Sequence, residues 1–243
     1  MSNSAAIAEA KSLLSRNQPD EARALLASAS FTENLDPKAQ QAFQEMFPPS
    51  DALEAELTDL LPKLGSKDSK SRRAAAHRVR REAMKEFTLK RKAWMADPRL
   101  TDALMRSLEA ESDPAVQEEI TGALAHTIIR YFPDLRAFPL LENLLSNRKK
   151  KTREYAVLGL GWLHADRRWA LLAPLLKDPA LEVRRAVCRV IAFKAQQAHV
   201  DQETKNTMLA SLSPLMKDKD NLLQDLAGSA YAALQRTGGR KAT

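Results

Sequence analysis

One cysteine, Cys188, stands in 243 residues, so a disulfide within the chain is excluded. A lone thiol is what a reducing compartment leads one to expect, and a cytoplasmic location is the expectation carried forward. Glycine is scarce, with seven residues, and aromatics make up 5% of the chain. Few glycines and almost no alternation of β-branched residues with polar ones argue against sheet. No apolar run approaches the roughly 20 residues that a membrane-crossing helix needs, so no membrane span is expected. The stretch Met1-Ser-Asn-Ser-Ala-Ala-Ile7 carries neither the basic nor the apolar part of a secretory leader, and none is expected.

Catalytic and metal-binding patterns are equally thin. The histidines, His77, His126, His164 and His199, lie far apart. There is no HExxH, no CxxC, no glycine-rich phosphate loop and no nucleophile elbow. His164, in Trp162-Leu-His-Ala-Asp166, is the one residue that tempts a chemical reading. A turn histidine beside a packed tryptophan accounts for it more simply. The expectation is no enzyme, no cofactor and no metal.

The chain is rich instead in Leu and Ala, which fill a core and favour helix. One stretch organises the rest: Leu175-Leu-Lys-Asp178-Pro-Ala-Leu-Glu-Val183-Arg-Arg-Ala-Val-Cys-Arg-Val-Ile191. It reads as the end of one helix, a tight turn, and a second helix. Counted from Val183, apolar residues fall at offsets 0, 4, 7 and 8, as Val183, Val187, Val190 and Ile191. The same offsets give Val116, Ile120, Ala123 and Leu124, then Thr152, Ala156, Gly159 and Leu160, then Leu223, Ala227, Ala230 and Tyr231. Each set is one stripe on a helix with 3.6 residues per turn, a face that must be buried. A fifth copy, Ser71, Ala75, Arg78 and Val79, puts an arginine in a core slot. Leu175-Leu-Lys-Asp178 also returns as Leu215-Met-Lys-Asp218, forty residues on. Internal repeats of this size signify stacked helix pairs.

This pattern resembles the HEAT repeat, over residues 51–235 and best at 134–192. The resemblance implies an all-α fold: a right-handed α-solenoid of about five HEAT-like repeats. Residues 1–50 are expected to form an N-terminal helical cap and linker, with helices at 4–16, from Glu21 and at 36–46. Residues 236–243 are expected to be a flexible basic tail. Pro174 and Pro214 are expected to kink the first helices of the last two repeats. Gly159 and Gly161, each costing about 1 kcal/mol inside a helix, are expected to permit close packing. One enzyme family of similar architecture, the HEAT-like alkylpurine DNA glycosylases, carries a Trp-Trp-Asp-x-x-Asp signature. Here the nearest counterpart is Glu111-Ser-Asp113-Pro-Ala-Val, without an aromatic. Metal-binding HEAT hydroxylases use paired His-Glu motifs, also missing here.

The net charge of +7 is not spread evenly. Residues 63–92 hold twelve Lys and Arg against Asp68, Glu82 and Glu86, so that the rest of the chain is slightly acidic. A second helix starting near Asp68 has no Pro or Gly until Pro98 and could run nearly thirty residues. On it Ala76, Ala83, Phe87 and Trp94 share the side expected to be buried. Arg73, His77, Arg80, Arg81, Lys85, Arg91 and Lys92 share the opposite side. A second basic segment, Arg148, Lys149, Lys150 and Lys151, is read as part of the turn Asn147–Lys151. These eleven residues are the candidate binding site. Their match is an anionic surface: an acidic protein, or nucleic acid, where each neutralised phosphate releases a counterion. Internal pairing between the first two repeats is the plainer alternative. Along the turns the charge alternates, basic at 63–70, acidic at 109–113 and basic at 148–151. An alternating edge suits a protein partner better than a uniform polyanion. The reading from sequence is therefore a scaffold or adaptor that binds a protein through its concave helices and its basic first repeat, with duplex DNA as the alternative.

Overall fold

The computed structural model describes residues 3–16, 18, 22, 41–42, 45–46, 51–85, 93–130, 134–163, 167–195 and 200–237. Among them every regular element is a helix or a 3-10 turn. The chain divides into two compact units, Met1–Leu140 and Leu141–Thr243.

In the first unit α1 spans Asn3–Ser15 and buries Ala6 and Ala10. Most of the helices expected from Glu21 and at 36–46 lies outside the described residues. Helix α2, Asp51–Leu64, buries Leu53, Leu57, Leu60 and Leu64, successive turns of one face. Asp68 then starts α3, Ser69–Lys85: its carboxylate accepts from the Lys70 and Ser71 N–H groups and from the Ser71 hydroxyl. Those three donors hold Asp68 below the usual carboxylate range, the Ser71 hydroxyl contributing most. Asp97 caps α4, Pro98–Glu109, whose Pro98 occupies a first-turn position where its missing N–H costs nothing. Asp113 caps α5, Pro114–Arg130, which buries Val116, Ile120, Ala123 and Leu124, the expected stripe. Helices α3 and α5 pack along their length, and α4 closes on α2 and α5.

Helix α3 stops far short of thirty residues. It ends at Lys85, and Trp94 lies in a 3-10 turn, Ala93–Ala96. Ala76, Ala83 and Trp94 are buried as expected, whereas Phe87 falls outside the described residues. The Arg78 core slot needs correcting too. Ala75, Ala76, Val79 and Ala83 form the buried side of α3. Arg78 lies at its edge, bridging Glu56 and Asp59 of α2, the latter at 3.1 Å. Its guanidinium sits 5.9 Å from the centre of the Trp94 ring. The small alanines set the helix spacing, and the long arginine reaches past them to the acids of α2.

Helix α6, Phe138–Asn143, follows a 3-10 turn, and the division between the units falls within it. In the second unit α7 runs from Lys150 to Trp162, so Lys150 and Lys151 belong to its first turn rather than to the preceding loop. Gly161 fits tightly: a Cβ there would lie 2.9 Å from Val190 Cβ and closer still to its methyls. The close approach expected of this glycine is a backbone-to-side-chain contact with α9, Leu181–Lys194. Gly159 is buried as well. Pro174 does not kink a continuous helix. Helix α8, Arg168–Leu172, gives way to a 3-10 segment, Ala173–Lys177, at the proline. Pro214 does sit inside its helix, α10, Gln202–Leu215, one residue before the end. Helix α11, Asn221–Arg236, completes the unit. Val183, Val187, Val190 and Ile191 of α9 are all fully buried, between α7 on one side and α11 on the other. Cys188 lies in the same core, where burial pushes its thiol up to about 12 and keeps it protonated.

Candidate functional site

The basic residues fall into two groups with different work. The first group holds repeats together. Arg72, the fourth residue of α3, donates Nε and Nη2 to Glu111 at 2.7 and 3.0 Å. Its Nη1 turns back to the Ser66 and Lys67 carbonyls. Arg153 of α7 repeats the geometry: Nε and Nη2 each lie 2.8 Å from Asp178, and Nη1 reaches the Asn147 and Arg148 carbonyls. Arg184 of α9 again caps its own turn, through the Asp178 and Pro179 carbonyls, with Nη2 3.8 Å from Asp218. Each arginine therefore ties its own turn to the acid of the next. Gln117 and Gln224 occupy the equivalent place in the other two second helices. Burial works to raise the Glu111 and Asp178 pKa values, but the arginine and backbone N–H bonds outweigh it and hold both low.

The second group faces outward on α3. Lys70, Arg73, His77 and Arg81 follow at spacings of three and four, which is one side of a helix. With Ala74 as a floor and Arg78 at one wall they line an open groove of about 560 Å³. Glu119 of α5 enters the same groove and draws charge away from it. Arg80 donates Nε to Glu119 at 2.8 Å, and His77 Nδ1 lies 3.3 Å from the same oxygen. Arg81 is more than half exposed, its nearest carboxylate being Glu82 at 3.3 Å. Arg73 is exposed and has no carboxylate partner among the described residues.

The predicted site thus separates. The groove brings together Arg73, His77 and Arg81, while Arg80 lies beside it on Glu119. Arg91 and Lys92 lie outside the described residues, as does the Lys85 side chain. Arg148, Lys149, Lys150 and Lys151 belong to the second unit, where Lys150 is paired with Glu182 and Lys151 with Glu154, each at 2.7 Å. Lys151 also lies 5.5 Å from the centre of the Tyr155 ring. The side chain of Arg148 is exposed. Sequence reasoning missed Lys70, although it continues the Arg73–His77–Arg81 line one turn earlier. It also missed Glu119, whose place in the groove depends on the packing register of α3 against α5.

No group of three or more His, Cys, Asp or Glu among the described residues is placed to hold a metal ion. Among those residues no helix is long and apolar enough to cross a membrane. What the groove offers chemically is a line of cations interrupted by one carboxylate.

Helix pairs in repeated register, tied turn to turn by arginines, define a class, the α-helical repeat proteins. Residues 99–192 match the family model for HEAT repeats. No curated protein matches the chain. Solved structures resemble it at low identity. One is an engineered protein: 20% identical, TM-score 0.60, covering 76% of this chain and 80% of its own. A second is a designed armadillo repeat protein in complex with a (KR)4 peptide, 17% identical, TM-score 0.57, covering 90% of this chain and 94% of its own. A third is a computationally designed armadillo repeat protein for modular peptide recognition, 16% identical, TM-score 0.55, covering 94% and 98%. The fold is that of the HEAT/armadillo-like helical repeats, and residues 99–192 match the HEAT-repeat model.

Proposed function

We propose that this protein is a non-enzymatic scaffold that docks a partner protein through an acidic segment laid along α3. The observation that carries the reading is the one-sided line of Lys70, Arg73, His77 and Arg81 above an alanine floor, with Arg73 lacking a carboxylate of its own among the described residues. From Arg73 to His77 to Arg81 each step is four residues, about 6 Å along a helix axis. Carboxylates four residues apart on a partner helix recur at the same distance. The designed armadillo protein crystallised with (KR)4 holds a cationic peptide. Repeat scaffolds of this kind display a peptide-binding surface, and in the present chain the sign of the surface favours the opposite charge.

Duplex DNA is the less favoured partner. Glu119 places a negative charge in the groove and already engages Arg80 and His77. A uniform polyanion meets repulsion there, while a protein partner can offer a matching base.

Fluorescence anisotropy distinguishes the two, using a helical peptide with glutamates four residues apart and a labelled generic duplex. The peptide is expected to bind, with affinity falling severalfold or more in the Arg73→Glu/Arg81→Glu variant. Phosphate-dominated binding would collapse between 50 and 200 mM salt with a log–log slope of about −0.9 per contact. Equal peptide binding by the variant and the parent protein sinks the proposal.

A further inference from the structure

Apart from the cationic groove, the second unit carries an apolar side chain that the repeat packing does not use. Phe193, near the end of α9, is 63% exposed. A single exposed apolar residue needs no explanation, but the surroundings of Phe193 are of one kind. Arg189 lies one helical turn earlier on the same side, exposed, and engages no carboxylate among the described residues. Trp162, the last residue of α7, is only partly buried. Lys194 Nζ lies 5.0 Å from the centre of its ring. Burial, and then the nearby Arg168 charge, depress the Lys194 pKa.

The repeat register adds a second argument. Trp162 comes ten residues after Thr152, the first core residue of α7, and Phe193 ten residues after Val183, the first of α9. The two helices pack side by side. Both aromatics therefore hold the same slot in consecutive repeats, at the edge of the buried side of each helix. In the next repeat the slot is filled by Ala233, which is buried. In α3 and α5 the same offset holds Arg81 and His126, so the large apolar aromatics in this slot belong to α7 and α9.

We infer that Phe193, Trp162 and Arg189 form a docking surface for a protein segment that presents an apolar anchor next to an aspartate or glutamate. The anchor packs on the Phe193 ring beside Trp162, and the carboxylate pairs with Arg189, with Lys194 adding charge of the same sign. Aromatic and arginine side chains grouped in this way are the usual energetic centre of a protein interface. The inference is independent of the α3 groove, and a partner could use either surface alone.

Selection of a random-peptide phage library against the full chain tests it. Enriched peptides are expected to carry an aromatic or long aliphatic residue within one turn of an acid. Synthetic copies are expected to bind Phe193→Ala at least about tenfold more weakly than the parent. Arg189→Glu is expected to turn the preference towards peptides with Lys or Arg beside the anchor, a reversal that mere loss of structure cannot produce. Arg73→Glu is expected to leave these peptides unaffected. Peptides that bind Phe193→Ala and Arg189→Glu as well as the parent overturn the inference, as does a selection with no such pattern. So does sedimentation showing a dimer that Phe193→Ala dissolves, since the surface then belongs to a second copy of the chain.

Discussion

Arg153 grips Asp178 with two nitrogens, each at 2.8 Å, while its third nitrogen closes the turn that precedes it. The two side chains are 12% and 4% exposed, so neither charge can fall back on water if the other is removed. Arg153→Ala is expected to destabilise the protein by about 2–3 kcal/mol. That is somewhat less than the 3–5 of a fully enclosed pair, because the turn borders solvent. Arg153→Lys is expected to recover little, since one ammonium cannot serve a carboxylate and two carbonyls in a plane. Urea denaturation followed by circular dichroism measures both. An Arg153→Ala midpoint equal to that of the parent contradicts the structural role.

The same pairs set the response to acid. Glu111 and Asp178 are held below their ordinary values of 4.5 and 3.8. A depressed carboxylate stabilises the fold fully above its unfolded value, and that stability is lost as pH falls through the folded value. Thermal stability is therefore expected to be flat with respect to these two groups from neutral pH down to about pH 5, then to fall steeply through the acid range. Glu111→Gln/Asp178→Asn is expected to be less stable at neutral pH and to have a shallower acid limb. Melting temperatures across pH 3 to 7 would expose the error if the double variant loses stability in acid as steeply as the parent.

These clamps also show where sequence reading worked and where it stopped. The offsets from Val183 located the buried stripes of α5 and α9, because a 3.6-residue period is a local property of the chain. The arginine clamp has a local signal as well, an arginine one residue after the first core position at Arg72, Arg153 and Arg184. Its meaning depends on the acid of the next repeat, which only packing supplies. Glu111 was accordingly read as part of an acidic edge open to a partner, yet it is buried against Arg72. Arg78 was placed in the core by counting offsets, whereas three-dimensional packing chose its neighbours Ala75 and Val79. The α3 cation line was legible, since spacings of three and four need no tertiary knowledge. The intrusion of Glu119 was not.

Gly161 offers a test of packing rather than charge. An added methyl would meet the Val190 side chain well inside van der Waals contact, and both residues are fully enclosed. Gly161→Ala gains about 1 kcal/mol of helix propensity but is expected to lose about 1–3 kcal/mol to overpacking. Val190→Ala alone should cost about 1–3 kcal/mol through the space it leaves. In the double variant the new methyl occupies part of that space, so the losses are expected to be less than additive by at least about 0.5 kcal/mol. Strict additivity in a double-mutant cycle would mean that the two residues do not touch as described.

On the proposed reading, Glu119 sets how selective the cationic groove is. It accepts a hydrogen bond from Arg80 and lies beside His77, so it subtracts from the field that an anionic partner meets. Replacing Glu119 by Gln keeps the shape and removes the charge, which leaves Arg80 without this carboxylate. Binding of generic duplex DNA is expected to strengthen, because phosphates no longer face a fixed negative charge. The log–log salt dependence should also steepen by about 0.9 for each cation newly engaged with a phosphate. Binding of the acidic helical peptide should gain less, since its few carboxylates already find Arg73 and Arg81. The ratio of DNA to peptide affinity is therefore the informative quantity. If Glu119→Gln leaves that ratio and the salt slope where they were, the carboxylate does not govern what the groove accepts.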